Sequence, residues 1–306
     1  MRIAALLVLS LSSLQAANYY VIVSGLGGTP EYQAQFDKWA ADLEHNLAAN
    51  GPDAHIQKIT GGVATRENLR RSLAGLADSM HADDAFSLMM IGHGTFDGTE
   101  YKFNIPGPDI TAGELADLLN HLPAKRQLVV DMSSCSGAAM AALAKEDRIV
   151  VTATKSGNEK NAPVFARYWI DALQDPAADS DKNGTVSALE AFEYARRKTA
   201  GYFDSEKLLA TEHPLISDDE SRNSLHDPKA GGQALKAAAF PVLRALSENV
   251  LAANPQKQQL LSKKQQLEAR IDRLKYEKAS MEPEEYKQQL TSLLVELAHT
   301  QADIDR

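Results

Sequence analysis

Apolar residues follow two rhythms along this chain. Short continuous runs, such as Tyr20-Val21-Ile22-Val23 and Leu88-Met89-Met90-Ile91, alternate with stretches where apolar residues return every three or four positions. The continuous runs predict strands buried on both faces over residues 19–23, 85–91, 127–132 and 148–153, with a weaker strand over 56–59. The periodic stretches predict amphipathic helices over 31–49, 65–80, 111–121, 136–145, 162–173 and 186–199. Thr65 stands where an N-cap belongs, and Thr111 with Glu114 forms a capping-box pattern. Strands alternating with helices at this spacing imply an α/β fold with a mainly parallel sheet covered on both faces. Residues 204–232 are polar and read as mostly loop, and helical patterning returns over 233–252.

From Pro255 the pattern changes. Glycine disappears, and Leu260, Leu267, Ile271 and Leu274 keep a seven-residue rhythm, as do Tyr286, Leu290, Leu293, Leu297 and Ile304. Pro283 suits the first turn of a second helix. The expectation is an antiparallel α-helical coiled-coil hairpin over 255–306, a surface for a protein partner or for self-association.

The chain has 306 residues, a net charge of −9 and one cysteine, Cys135. An acidic balance speaks against nucleic-acid binding, and no intrachain disulfide can form. Arg2, the apolar run from Ile3 to Leu11 and the small residues ending at Ala17 have the layout of a signal peptide over 1–17. The run is too short to span a bilayer and no cysteine is near for a lipid, so no membrane anchor is expected. The mature chain is expected to be secreted or periplasmic. There a lone thiol is a liability unless it is buried or used.

Two chemistry-bearing pairs end apolar strands. Gly92-His93-Gly94 follows one, and Ser134-Cys135-Ser136-Gly137 follows the next. Ligands of open parallel sheets bind beyond the carboxyl ends of the strands, so a thiol and an imidazole there are the minimum for thiol catalysis. Flanking glycines let backbone N–H groups approach an oxyanion. Cys135 also precedes a helix start, where a thiolate is favoured.

At these residues the chain resembles the legumain-type cysteine peptidases of the caspase-like clan, over residues 19–173. The resemblance implies a caspase-like αβα sandwich over 18–225, with Cys135 as nucleophile, His93 as general acid and base, and the Gly94 and Cys135 amides as oxyanion hole. It also implies a specificity pocket bordered by Ser133, Lys155, Ser156 and Glu159. Gly27 stands where the family has a histidine-supporting Asn, Gln33-Ala34 where it has Arg-His, and Ser133 where it has an acid. The resemblance therefore carries the reaction type and not asparaginyl specificity.

Asp179-Ser180-Asp181-Lys182-Asn183-Gly184-Thr185-Val186-Ser187-Ala188-Leu189-Glu190 matches a twelve-residue calcium loop. Asp179, Asp181, Asn183, the Thr185 carbonyl, Ser187 and Glu190 are the expected ligands, in a single structural Ca²⁺ site. Residues 226–254 are read as linker and helix. His213 is read as a loop residue. The expected function is a secreted cysteine endopeptidase acting on a peptide or protein substrate, with a calcium-stabilised loop. A transpeptidase using the same acyl-enzyme and a calcium-binding adaptor on an inactive peptidase fold are the alternatives.

Overall fold

A computed structural model describes residues 16–218, 225, 228, 234–244 and 281–304, with scattered positions between 259 and 278. The signal-peptide reading falls almost wholly on residues 1–15, outside the described residues. Among the described residues no helix is long and apolar enough to cross a membrane.

Strands β1 (Asn18–Ser24), β2 (Ala54–Ile59), β3 (Ala85–Gly92), β7 (Arg126–Ser133), β8 (Arg148–Thr152) and β10 (Leu215–Ser217) form one sheet in the order β10-β8-β7-β3-β1-β2. All pairings are parallel except the last, β10 against β8. The strand order turns back at β1, and β3 and β7 lie side by side with Gly92 opposite Ser133.

Helices cover both faces. Helix α1 (Pro30–Ala48), α5 (Phe165–Ala172) and α6 (Ala188–Ser205) bury Phe36, Leu43, Trp169 and Phe192 against Ile22, Ile91, Val130 and Val151. On the other face α2 (Arg66–Ser79) and α3 (Ala112–Asn120) bury Leu69, Leu73, Leu115 and Leu119 with Val23, Leu88 and Val129. The predicted caps form: Thr65 accepts from the Asn68 N–H and Thr111 from the Glu114 N–H. Each such cap stabilises its helix by about 1 kcal/mol.

Four segments depart from the sequence reading. The segment after β3 forms a three-stranded antiparallel sheet, β4 (Gly94–Phe96), β5 (Tyr101–Phe103) and β6 (Ile110–Thr111), too short to show a period. The helix expected over 136–145 is a 3₁₀ turn, Ser136–Ala139, followed by one α turn, α4 (Met140–Leu143). In the expected linker and helix, α7 (Leu235–Ala238) is a single turn, and β11 (Pro241–Arg244) pairs with β9 (Thr185–Ser187). Val242 and Phe240 join the α1-side core, so this segment belongs to the main body; positions 245–252 lie outside the described residues. The run read as loop also contains β10, whose Ile216 is fully buried.

Helix α8 (Pro283–Ile304) begins at the predicted proline. Leu267, Ile271 and Leu274, at described helical positions, form a separate apolar cluster with Leu293, flanked by Tyr286, Leu290 and Leu297.

Candidate active site

The turn after β1 is built to hold His93. Gly25 faces the Asn104 carbonyl, and a Cβ there would stand 2.5 Å from that oxygen. A Cβ at Gly27 would stand 2.2 Å from the Gln33 nitrogen, so α1 occupies the place of the expected supporting side chain. The support comes from the backbone instead: His93 Nε2 lies 3.1 Å from the Gly27 carbonyl oxygen. A carbonyl only accepts, so Nε2 is the donor in this contact and Nδ1 is the nitrogen left for chemistry. Gln33 braces this turn. Its Oε1 accepts the Gly27 N–H at 3.0 Å, and its amide reaches Asp37, which also accepts from Ser24. The residue standing where the family has Arg thus turns inward. The imidazole is clamped further by the ring edges of Tyr32 and Phe36, with centroids at 5.1 and 5.2 Å.

Cys135 leaves β7 in a left-handed conformation, φ 59°. A non-glycine residue held there costs of order 1 kcal/mol, a strain found most often at functional turns. The thiol does not open onto the rim as the sequence reading expects. Cys135 is 2 % exposed and belongs to the apolar cluster of Tyr101, Phe103 and Met140, whereas His93 rests on the α1-side rings. No hydrogen bond joins the two among the described residues. Burial pushes the thiol pKa up, while the Lys160 ammonium and the Phe96 amide pull the other way. A raised thiol is mostly protonated at neutral pH and weakly nucleophilic.

Both expected oxyanion donors are engaged. The Cys135 N–H donates to the Glu159 carbonyl at 2.8 Å. The Gly94 N–H donates to Ser134 Oγ at 3.1 Å, and that hydroxyl donates back to the Gly94 carbonyl.

The loop 155–160, whose Glu159 carbonyl accepts the Cys135 N–H, is pinned from both sides. A Cβ at Gly157 would stand 2.2 Å from the Phe96 ring, and one at Gly137 2.3 Å from the Ser156 nitrogen, so neither position has room for a side chain. The Glu159 carboxylate accepts the Lys155 N–H at 2.9 Å, the His213 N–H at 3.2 Å and His213 Nδ1 at 2.5 Å. Beside it, the Glu212 carboxylate accepts the Val164 and Phe165 N–H groups at the start of α5. Glu159 therefore ties the loop down, with its side chain 10 % exposed. Lys155 is half exposed, and Ser156 Oγ accepts the Asn158 N–H. His213 and Glu212 gave no sequence signal, because their partners lie about fifty positions away.

Ser133, expected at the specificity pocket, is fully buried and points beneath the site. Its hydroxyl donates to Asp131 Oδ1 at 2.7 Å and meets the Tyr101 hydroxyl at 2.7 Å. Asp131 is fully buried, and its Oδ2 has no partner. Burial raises its pKa from 3.8 to about 6, and that of Glu212 from 4.5 to about 7. Both groups bind protons more tightly folded than unfolded. Each contributes stability that is full below about pH 4 and lost as pH rises through its folded pKa. Urea unfolding is expected to show Asp131→Asn gaining about 3 kcal/mol on wild type between pH 4 and pH 7.5. A pH-independent difference would refute the buried-acid assignment.

The acidic loop is curled as the sequence predicts. Lys182 and Gly184 take positive φ, 58° and 81°. Asp179 accepts the Asn183 and Gly184 N–H groups, and one oxygen each of Asp179, Asp181 and Glu190 lie within 4.8 Å of one another. These three carboxylates can hold a hard cation. The Asn183 Oδ1 accepts the Thr185 N–H. Ser187 is used differently: its hydroxyl caps α6 by accepting the Glu190 N–H and donating to Glu190 Oε2.

No family model and no curated protein matches the chain. Solved structures do. A structural-genomics protein from Geobacter sulfurreducens is 14 % identical with TM-score 0.46, over 69 % of this chain and 95 % of that one. Raptor from Chaetomium thermophilum is 12 % identical with TM-score 0.38, over 53 % and 19 %. The Drosophila initiator caspase Dronc is 12 % identical with TM-score 0.45, over 69 % and 82 %. The chain is a mixed α/β protein with a mainly parallel central sheet covered by helices on both faces.

Proposed function

We propose that the protein is a latent cysteine endopeptidase whose nucleophile is covered by its own 155–160 loop. The observation that carries the reading is the pair of adjacent strand ends. Cys135 is held in a strained left-handed turn after β7, and His93, after β3, has its Nε2 anchored to the Gly27 carbonyl.

Once the loop lifts, the Cys135 amide is freed from the Glu159 carbonyl. The Gly94 amide is freed when Ser134 turns away. The reaction also requires the Cys135 side chain to swing from the Tyr101 and Phe103 side to the imidazole; the S–H proton then passes to His93 Nδ1 as sulfur bonds to the substrate carbonyl carbon. The two amides take the oxyanion. Collapse breaks the C–N bond, and the imidazolium gives its proton to the departing amine. Water resolves the thioester, and an amine in its place gives transpeptidation. Lys155, Ser156 and Glu159 border the opened cleft.

Asp179, Asp181, Asn183, Glu190 and the Thr185 carbonyl would hold Ca²⁺, with Ser187 reached through water. The ion would lock the entry to α6. The residues 255–306 are assigned to a coiled-coil hairpin that binds a partner or a second copy, supported by the Leu267–Leu293 cluster. The 1–17 segment is assigned to secretion.

The sealed thiol and the absence of a thiol–imidazole bond favour a second reading, a calcium-binding adaptor on an inactive peptidase fold. A peptide library in calcium separates the two. Cleavage by wild type or by a lid-released His213→Ala chain, abolished by Cys135→Ala, supports the peptidase. No cleavage by either leaves the adaptor.

A further inference from the structure

We infer that the cavity between α1, α5 and α6 is the recognition pocket for an aromatic or large apolar side chain of the substrate peptide. The inference rests on the peptidase reading for its role in catalysis, but the cavity stands on its own geometry. It has a volume of about 280 Å³ and is walled by Tyr32, Phe36 and Trp39 of α1, Val164, Tyr168 of α5 and Tyr202 of α6. That is the scale of one large side chain and smaller than most cofactor sites.

Two of the wall residues, Tyr32 and Phe36, are the rings that stand edge-on to His93. The cavity and the imidazole therefore share two ring contacts, Tyr32 and Phe36. Tyr32, one of the cavity's walls, is 39 % exposed, and Gln35 and Arg167 complete the lining beside the rings.

Chemistry narrows the occupant. No carboxylate lines the cavity, so a basic side chain would lose water and meet no counter-charge. The one cation, Arg167, is already paired with Asp171 and laid over the Tyr168 ring. An acidic side chain would therefore compete with an existing partner. An aromatic ring needs neither and gains offset or edge contacts with its surroundings. The wall at Val164 is also held firm, because its N–H donates to the buried Glu212 carboxylate.

Full-length Cys135→Ala chain, titrated with N-acetyl-phenylalaninamide, tests this through the fluorescence of Trp39. A saturable change is expected, with N-acetyl-lysinamide and N-acetyl-aspartamide giving none. Trp39→Phe should remove the signal. Ala162→Trp, which fills the cavity, and Tyr168→Ala should each weaken binding about tenfold or more, with melting curves confirming that both variants fold. No saturable change with the phenylalanine amide, or an equal response to lysine, overturns the assignment. Binding needs no catalysis, so the two readings fail separately. Saturable binding by a chain that cleaves nothing keeps the pocket and removes the peptidase. Cleavage without aromatic enrichment and without binding does the reverse.

Discussion

Replacing His213 by Ala is expected to raise the rate at which iodoacetamide alkylates Cys135 by about 10- to 100-fold. The thiol is 2 % exposed, and the proposed cover is the 155–160 loop, whose Glu159 carbonyl holds the Cys135 N–H. For a fast opening equilibrium the observed rate follows the open population. That population is set by what holds the loop. The strongest single tie on its acidic side chain is Glu159 Oε1 to His213 Nδ1, at 2.5 Å and largely shielded. Hydrogen bonds to a charged group contribute about 1.5–3 kcal/mol, and 1.4 kcal/mol is tenfold in an equilibrium. The backbone bond from the His213 N–H survives in the alanine variant, as does the Lys155 N–H bond, so the loop is loosened and not unfolded. Glu159→Gln keeps the size and removes the charge, and a smaller rise is expected. Urea unfolding of each variant separates local opening from general loss of stability. An unchanged alkylation rate in His213→Ala at unchanged stability would show that the clamp does not govern the thiol.

The sheet was legible because a strand buried on both faces writes itself as a predominantly apolar run. β3 and β7 are such runs, broken only by Ser87 in one and by Asp131 and the polar ends in the other, and the caps at Thr65 and Thr111 mark helix starts just as locally. What sets the state of the site is not local. β4 to β6 are two or three residues each, yet they supply Phe96, packed on Gly157 of the loop, and Tyr101, which meets Ser133 and shares the apolar cluster of Cys135. Glu159 and His213 meet across 54 positions of chain, and no periodicity reports such a pair. β11 is short and β-bulged against β9, so its apolar residues read equally well as part of a helix. Gly92 and Ser133, the last residues of β3 and β7, are paired. Beyond them the ladder stops and Cys135 turns left-handed, so strand alternation does not carry to the sulfur. The contacts put the imidazole toward the α1 rings and the sulfur toward β5, a separation that no strand pattern reports.

Adding 1 mM calcium at neutral pH is expected to raise the melting temperature of the full chain by about 3–10 °C over the same chain in chelator. The loop is already curved for an ion. Asp179 holds the Asn183 and Gly184 amides, and Glu190 holds those of Ser180 and Ser187, so little ordering is left to be done on binding. What opposes this shape without an ion is charge. Burial raises the Asp181 pKa, and the negative charges of Glu190 and Asp179 raise it further. A divalent cation reverses that repulsion. A ligand at ten to a hundred times its Kd stabilises the folded state by about 1.4–2.7 kcal/mol. For a domain of this size each kcal/mol moves Tm by about 2–4 °C. Asp181→Asn gives opposite signs in the two media, which a merely structural role would not. In chelator it relieves repulsion and leaves Tm unchanged or higher; in calcium it removes most of the gain. The gain should also fade in acid, because a group whose pKa is raised takes up a proton sooner and the proton competes with the cation. Magnesium at equal concentration should give less, since it demands a tighter octahedral shell than this loop of carboxylates and carbonyls presents. Equal melting in calcium and in chelator would remove the ion from the protein, and with it the account of how the entry to α6 is fixed.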